Sequence, residues 1–129
     1  MRSVNKVILM GNLGADPEMC STKTGKTVTN FSLATNNEWF DQEGEKQKTT
    51  DFHRIIAWQN LGQNCGKHLL KGSAVYIEGR LHNRSFEDKD KKRRYVTEVT
   101  ADKVHFLQTK RTKDGEKIGI KSEEEVVAV

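Results

Sequence analysis

Aromatic residues at spaced positions in a basic, polar chain are the feature with the clearest chemistry. Trp39, Phe52 and Trp58 lie within twenty residues of one another, and Phe86 opens a second segment that is rich in Lys and Arg. Aromatic rings stack on nucleobases with about 1–3 kcal/mol per base and little sequence preference, while basic side chains follow the phosphates. The combination therefore favours single-stranded nucleic acid over a duplex as the ligand.

Motifs of catalysis or metal binding are absent from the sequence. Residues 62–68, GQNCGKH, resemble a phosphate loop, but three residues rather than four separate the glycines and no Ser or Thr follows the lysine. The histidines show no metal-ligand spacing, and no nucleophile elbow occurs; they are His53, His68, His82 and His105. We expect a binding protein without catalytic residues, metal or cofactor.

The net positive charge of the chain lies entirely in its first 108 residues. Of 22 basic and 18 acidic residues, five of each fall in residues 109–129, so the whole excess of +4 belongs to residues 1–108. A chain of 129 residues can bury one modest core. We expect one domain at residues 1–108, a short disordered tail at 109–129, and an anionic polymer as partner.

The expected compartment is the cytoplasm, in association with the nucleoid. No run of about 18 apolar residues occurs, and the apolar stretch near the N-terminus is too short for a signal peptide. Cys20 and Cys65 lie far apart without metal-ligand spacing, and we expect both to be reduced rather than paired in a disulfide.

Short runs rich in Val, Ile, Thr and aromatic residues predict five strands, at residues 5–12, 27–36, 50–58, 74–84 and 95–107. A period of four at Leu61, Cys65 and Leu69 predicts one helix over residues 60–70, with Asn60 as its N-cap. A polar arm at 37–48 leads to the third strand, and a charged hairpin loop at 85–94 joins the fourth strand to the fifth. The fold class is therefore all-β, and a helix between strands three and four is the order of the OB-fold, a partly open five-stranded Greek-key barrel.

Alternation in the third run places Phe52, Arg54, Ile56 and Trp58 on one face of the strand. Large aromatic residues are usually buried, so Phe52 and Trp58 could instead belong to the core. Arg54 argues against the core, because a guanidinium is rarely buried without a partner. Trp39 has few apolar neighbours in the sequence, which favours a binding role.

Five separated motifs resemble the bacterial and mitochondrial single-stranded DNA-binding protein (SSB) family. They are VNKVILMGNLGADPE at 4–18, FSLAT at 31–35 followed by Trp39, FHRII at 52–56, KGS at 71–73 and VYIEG at 75–79, and they span roughly residues 4–107. The resemblance implies an OB-fold, a homotetramer, and sequence-tolerant binding of single-stranded DNA in replication, recombination and repair. It implies no chemical reaction.

The resemblance also implies roles for particular residues. The positions that stack on bases are Trp39, Phe52, Trp58 and Phe86, and those that contact phosphates are Lys6, Arg54, Lys71 and Arg84. His53 matches a histidine at a contact between subunits, with an interior histidine as the alternative. A position that is often basic in the family is Asn60 here. The charged run at 89–94 could be a solvated hairpin tip or could meet phosphate.

An OB module directed at RNA or belonging to a primosome is the alternative function on the same scaffold. The end of the chain differs from the bacterial pattern of a long Gly/Pro/Gln-rich linker with an acidic tip and a terminal aromatic, because it reads EEEVVAV. Recruitment of replication or repair proteins through this tail is therefore only an alternative here.

Overall fold

A computed structural model describes residues 1–108 of the chain, so the tail predicted at 109–129 lies outside the described residues. The described part contains six strands and one helix. In chain order they are β1 (Val7–Leu13), β2 (Glu18–Ser21), β3 (Thr27–Phe40), β4 (Lys46–Trp58), α1 (Gln59–His68), β5 (Ala74–Glu87) and β6 (Arg93–Gln108). Between residues 1 and 108, no helix has the length and apolar character that crossing a membrane requires.

Five of the strands close into a barrel. Strand β1 pairs antiparallel with β5 along Val7–Asn12 and crosses to β3 at Asn12 and Leu13. Strands β3 and β4 pair antiparallel, as do β5 and β6, and a short parallel pairing of Ile55 and Ile56 with β6 completes the ring. The ring β1-β3-β4-β6-β5, with the helix between its third and fourth strands in chain order, confirms the predicted OB-fold.

The strands extend further than the sequence predicted. Strands β3 and β4 continue through the polar segment as a two-stranded ribbon whose last pair is Phe40 with Lys46. Strands β5 and β6 likewise run to the pair Glu87 and Arg93. Most of the polar arm at 37–48 and of the charged hairpin loop at 85–94 is therefore paired strand, and each hairpin has only a short turn. We call the ribbons beyond the barrel the β3–β4 arm (36–50) and the β5–β6 arm (82–98).

Strand β2 was not predicted. It pairs with Thr27–Asn30 at the edge of β3, and all four of its side chains are exposed. With the sequence EMCS, this strand is too short to show an alternation of buried apolar and exposed polar residues, and its place in the sheet comes from pairing with the backbone of β3.

The helix begins at Gln59 and ends at His68, so it begins one residue and ends two residues before the predicted bounds. No side chain caps its N-terminus, so the predicted N-cap role of Asn60 is wrong. Gly62 lets the helix approach the barrel closely, because a Cβ atom there would lie 2.4 Å from the carbonyl oxygen of Ala57. Thr29 on β3 donates its hydroxyl to the carbonyl of Gly62 at 2.6 Å and fixes the helix against the barrel.

The core fills the barrel and the space beneath the helix. Its buried members come from the inward positions of the barrel strands, with Leu61, Cys65 and Leu69 from the helix side; the largest fully buried ones are Leu33, Ile55, Leu69, Ile77, Val75 and Val104. This core leaves the outward positions of β4, β5 and β6 free to form a surface.

Candidate nucleic-acid interface

The outward face of β4 carries three of the predicted binding residues, Phe52, Arg54 and Trp58. Phe52 is 66% exposed and Trp58 is 42% exposed, whereas Ile55 and Ala57, which point inward, are fully buried. The alternative that Phe52 and Trp58 are core residues is therefore wrong. Alternation along β4 places Arg54 between them on the same face. Ile56, predicted on this face as well, is only 8% exposed and lies in the floor of the surface between Arg54 and Trp58.

Three hollows follow one another along this face and together form what we call the groove. The first, of about 390 Å³, is lined by residues that include Phe52, Arg54 and Asn30. The second, of about 400 Å³, shares Arg54 and Asn30 and continues to Trp58 and Arg84. The third, of about 500 Å³, lies between Trp58 and the turn between β2 and β3. A chain of bases could therefore run from Phe52 past Arg54 to Trp58 without leaving the protein surface.

Beneath the second hollow, Glu98 of β6 holds two arginines. The Arg54 Nε donates to Glu98 Oε2 at 2.9 Å, the Arg84 Nε donates to Oε1 at 3.1 Å, and a terminal amino group of Arg84 donates to Oε2 at 3.3 Å. Glu98 is 5% exposed, while about half of the Arg54 side chain remains in solvent. Burial alone would raise the pKa of Glu98, but the hydrogen bonds and charges of Arg84 and Arg54 outweigh it and lower the pKa below the usual range.

Glu98 was not predicted from the sequence. The available signal was an acidic residue inside a strand-forming run, VTEVT at 96–100, because a carboxylate within a barrel strand requires a cationic partner. Arg54 and Arg84, both predicted as phosphate contacts, are those partners.

Phe86 joins the groove through Arg84. The guanidinium carbon of Arg84 lies 5.5 Å from the centre of the Phe86 ring, within the range of a cation–π contact. Both residues project from the same face of the β5–β6 arm, since they are two positions apart on β5.

Trp39 lies apart from these residues, on the β3–β4 arm opposite Gln47. It is not among the residues that line the three hollows of the groove. Its neighbour Phe40 projects from the other face of the arm and is 71% exposed, against 43% for Trp39. The arm tip thus presents one ring on each face, and only Trp39 was predicted to take part in binding.

The two lysines that are predicted to contact phosphates, Lys6 and Lys71, do not line any of the three hollows. Lys6 forms an ion pair with Glu78 at 3.1 Å, and this contact, together with the Tyr76 hydroxyl, holds the pKa of Glu78 below its usual value. Lys71 follows the helix, where its backbone N–H donates to the carboxylate of Asp16 at 2.8 Å. Asp16 lines the first hollow, so Lys71 lies near the Phe52 end of the groove.

His53 points to the side of β4 opposite Phe52, and a hydrogen bond of 2.9 Å joins its Nε2 to the Thr35 hydroxyl. It is partly exposed, so the alternative of a fully interior histidine does not hold for the single chain.

The charged run at 89–94 forms the tip of the β5–β6 arm. Asp88 accepts backbone hydrogen bonds from Asp90 and Lys92 and forms an ion pair with Arg94 at 2.7 Å, and these contacts lower its pKa. At the tip of the other arm, three carboxylates lie within 4.8 Å of one another, those of Asp41, Glu43 and Glu45. Asp41 accepts the backbone N–H groups of the other two, so a turn explains this grouping.

Both cysteines are free thiols, as predicted. Cys65 is fully buried in the helix, and burial raises its pKa to about 12, whereas Cys20 on β2 is exposed.

Comparison with known proteins points to one family. Residues 4–107 match the model of the single-strand binding protein family. Over 110 residues, the chain is 44% identical to single-stranded DNA-binding protein 1 of Chlorobaculum tepidum, covering 84% of this chain and 68% of that protein.

Two solved structures are similar in fold. The Plasmodium falciparum SSB in complex with ssDNA has a TM-score of 0.75 and 36% identity, over 84% of this chain and 98% of the other. A deletion mutant of the single-stranded DNA-binding protein from Thermus aquaticus has a TM-score of 0.71 and 28% identity, over 81% of this chain and 51% of the other.

Proposed function

The chain belongs to the single-strand binding protein family, and from this membership we propose that it binds single-stranded DNA without strong sequence preference. By covering exposed strands, it protects and organises them during DNA replication, recombination and repair. The observation that carries the proposal is the groove, in which exposed rings and guanidinium groups alternate along one face of the barrel.

Binding in the groove uses two kinds of contact. Phe52 and Trp58 offer exposed ring faces on which successive bases stack, and stacking tolerates any base because each has a π-face. Arg54 and Arg84 lie between and beside these rings, where they meet the phosphates that link the stacked bases. Alternation of rings and cations thus matches the alternation of bases and phosphates in a single strand.

The arms extend the surface beyond the barrel. Phe86 is supported by the Arg84 guanidinium and continues the groove face onto the β5–β6 arm. Trp39 adds a ring on the β3–β4 arm. Lys6 and Lys71 provide further phosphate contacts on either side of the barrel, and Lys6 must then exchange part of its ion pair with Glu78 for the phosphate.

The proposed function is binding alone, so the DNA leaves covalently unchanged and no cofactor is required. Single-stranded DNA is the principal partner, and the proposed compartment is therefore the cytoplasm, in association with the nucleoid. Replication or repair proteins that approach the tail at 109–129 are further candidate partners.

Closed homo-oligomers, tetramers in the family pattern, are the proposed assembly. Ile8 and Met10 on β1 are exposed apolar side chains, and among the described residues no strand pairs with the second edge of β1 before Asn12. An apolar strand with an open edge is suited to pairing with a second copy of itself. His53 is proposed to lie at a contact between subunits.

The experiment that tests the proposed function is competition between poly(dT) and RNA of equal length for a fluorescently labelled DNA strand. A groove built on stacking and backbone contacts binds the flexible DNA at least as tightly as the RNA, whereas an RNA-directed module prefers the 2′-hydroxyl. Clear preference for RNA would overturn the DNA assignment and leave the OB-fold intact.

A further inference from the structure

Glu98 is the one charged residue that is buried among residues 1–108. A carboxylate in such a position carries a large desolvation cost unless partners compensate it. Its partners, Arg54 and Arg84, come from two other strands of the barrel, and both are proposed phosphate contacts. The barrel therefore places a buried anion directly beneath the cations of an anion-binding surface.

We propose that Glu98 is a positioning residue for single-stranded DNA, which fixes Arg54 and Arg84 so that their free N–H groups face the phosphates. This inference rests on the proposed function. A guanidinium carries five N–H donors in a rigid, planar fork. Glu98 accepts the Nε–H of each arginine, and in doing so it determines how each planar group is turned.

The donors that remain after this contact point to the ligand. Arg54 donates only its Nε–H to Glu98, so both of its terminal amino groups remain free to donate to a phosphate. Arg84 uses its Nε–H and one terminal amino group, which leaves the other for a phosphate, and its guanidinium carbon lies 5.5 Å from the centre of the Phe86 ring. Long arginine side chains otherwise lose rotamer entropy on binding, and Glu98 removes that loss beforehand.

Charge balance alone predicts the opposite effect. Glu98 reduces the charge of the cluster from two positive groups to one net positive charge, so it should repel the DNA backbone. Neutralising Glu98 would then tighten binding and steepen its dependence on salt. The sign of the change in affinity therefore separates positioning from simple charge balance.

The test is Glu98→Gln, which preserves the size of the side chain and removes its charge. We expect affinity for poly(dT) to fall several-fold. We also expect the slope of log K against log salt to become shallower by up to about 0.7 for each phosphate that the variant no longer binds. The matched control is Asp102→Asn, because Asp102 is exposed and contacts Arg80, another residue of the groove, at 3.5 Å. Its affinity should be unchanged or slightly higher.

Tighter binding by a folded Glu98→Gln protein would overturn the proposal. If that variant unfolds, Glu98→Asp gives the same decision, since it keeps the charge and shortens the reach of the carboxylate to both arginines. Positioning predicts weaker binding for Glu98→Asp, whereas charge balance predicts no change, and wild-type affinity would contradict the proposal. Failure of the wild-type protein to bind poly(dT) would instead refute the proposed function itself.

Discussion

Removal of the Phe52 ring separates a role in binding from a role in folding. Truncation of a fully buried Phe to Ala costs about 3–5 kcal/mol of stability. Phe52 is 66% exposed, so only about a third of that effect applies, about 1–1.7 kcal/mol. Loss of a stack on a base costs about 1–3 kcal/mol of binding free energy, which corresponds to about 5- to 150-fold in affinity.

Two measurements on Phe52→Ala compare these quantities. Urea unfolding gives the loss of stability, and titration of a fluorescently labelled oligo(dT) with the protein gives the loss of affinity. Because a ring carries no charge, the slope of log K against log salt should stay the same as in the wild type.

Phe40→Ala is the matched control, since it removes the same ring from an even more exposed position on the arm face opposite Trp39. We expect wild-type affinity for Phe40→Ala. If Phe52→Ala is folded, as shown by a cooperative urea transition, and binds oligo(dT) as tightly as Phe40→Ala does, the stacking role of Phe52 is refuted.

Acid stability, assembly and the tail can each be tested separately. The pKa of Glu98 lies below its ordinary value of 4.5, so its pairing stabilises the fold above that pH and is lost as the pH falls through the lowered pKa. The melting temperature of the wild type should therefore fall more steeply below about pH 4.5 than that of Glu98→Gln. Parallel curves of melting temperature against pH would contradict the pairing. Met10→Glu should reduce the solution mass measured by light scattering below that of a tetramer, while the barrel still unfolds cooperatively. An unchanged mass would show that β1 does not form the contact between subunits. Deletion of residues 121–129 should leave the affinity for poly(dT) unchanged. A large loss of affinity would show that the barrel alone does not form the binding site.

The parts of the fold that depend on local pattern were predictable. Alternation through Phe52, Arg54 and Trp58 identified the outward face of β4, because inward Ile55 and Ala57 alternate with it. Strand β2 and the two arms were not predictable in this way. Their residues show no regular alternation of buried apolar and exposed polar side chains, and they are strands because a neighbouring backbone extends far enough to pair with them.

Candidate site residues were named one by one from the sequence, and their roles stay predictions, but the contacts among them were not predicted. The pairing of Arg54 and Arg84 through Glu98 joins three strands that are distant in sequence, and no local pattern encodes such a contact. The helix start illustrates the same limit, since Asn60 has the residue type of an N-cap and yet no side chain caps this helix. Packing of Gly62 against Ala57 fixes the helix instead.

Intrinsic tryptophan fluorescence during titration with poly(dT) reports directly on whether bases stack in the groove. The chain contains two tryptophans, Trp39 on an arm and Trp58 in the groove, so the signal comes from the proposed site itself. Stacking on bases should give strong, saturable quenching with poly(dT) and much weaker quenching with a DNA duplex of equal length. Saturating binding of poly(dT) with an unchanged tryptophan signal would contradict stacking as the basis of recognition.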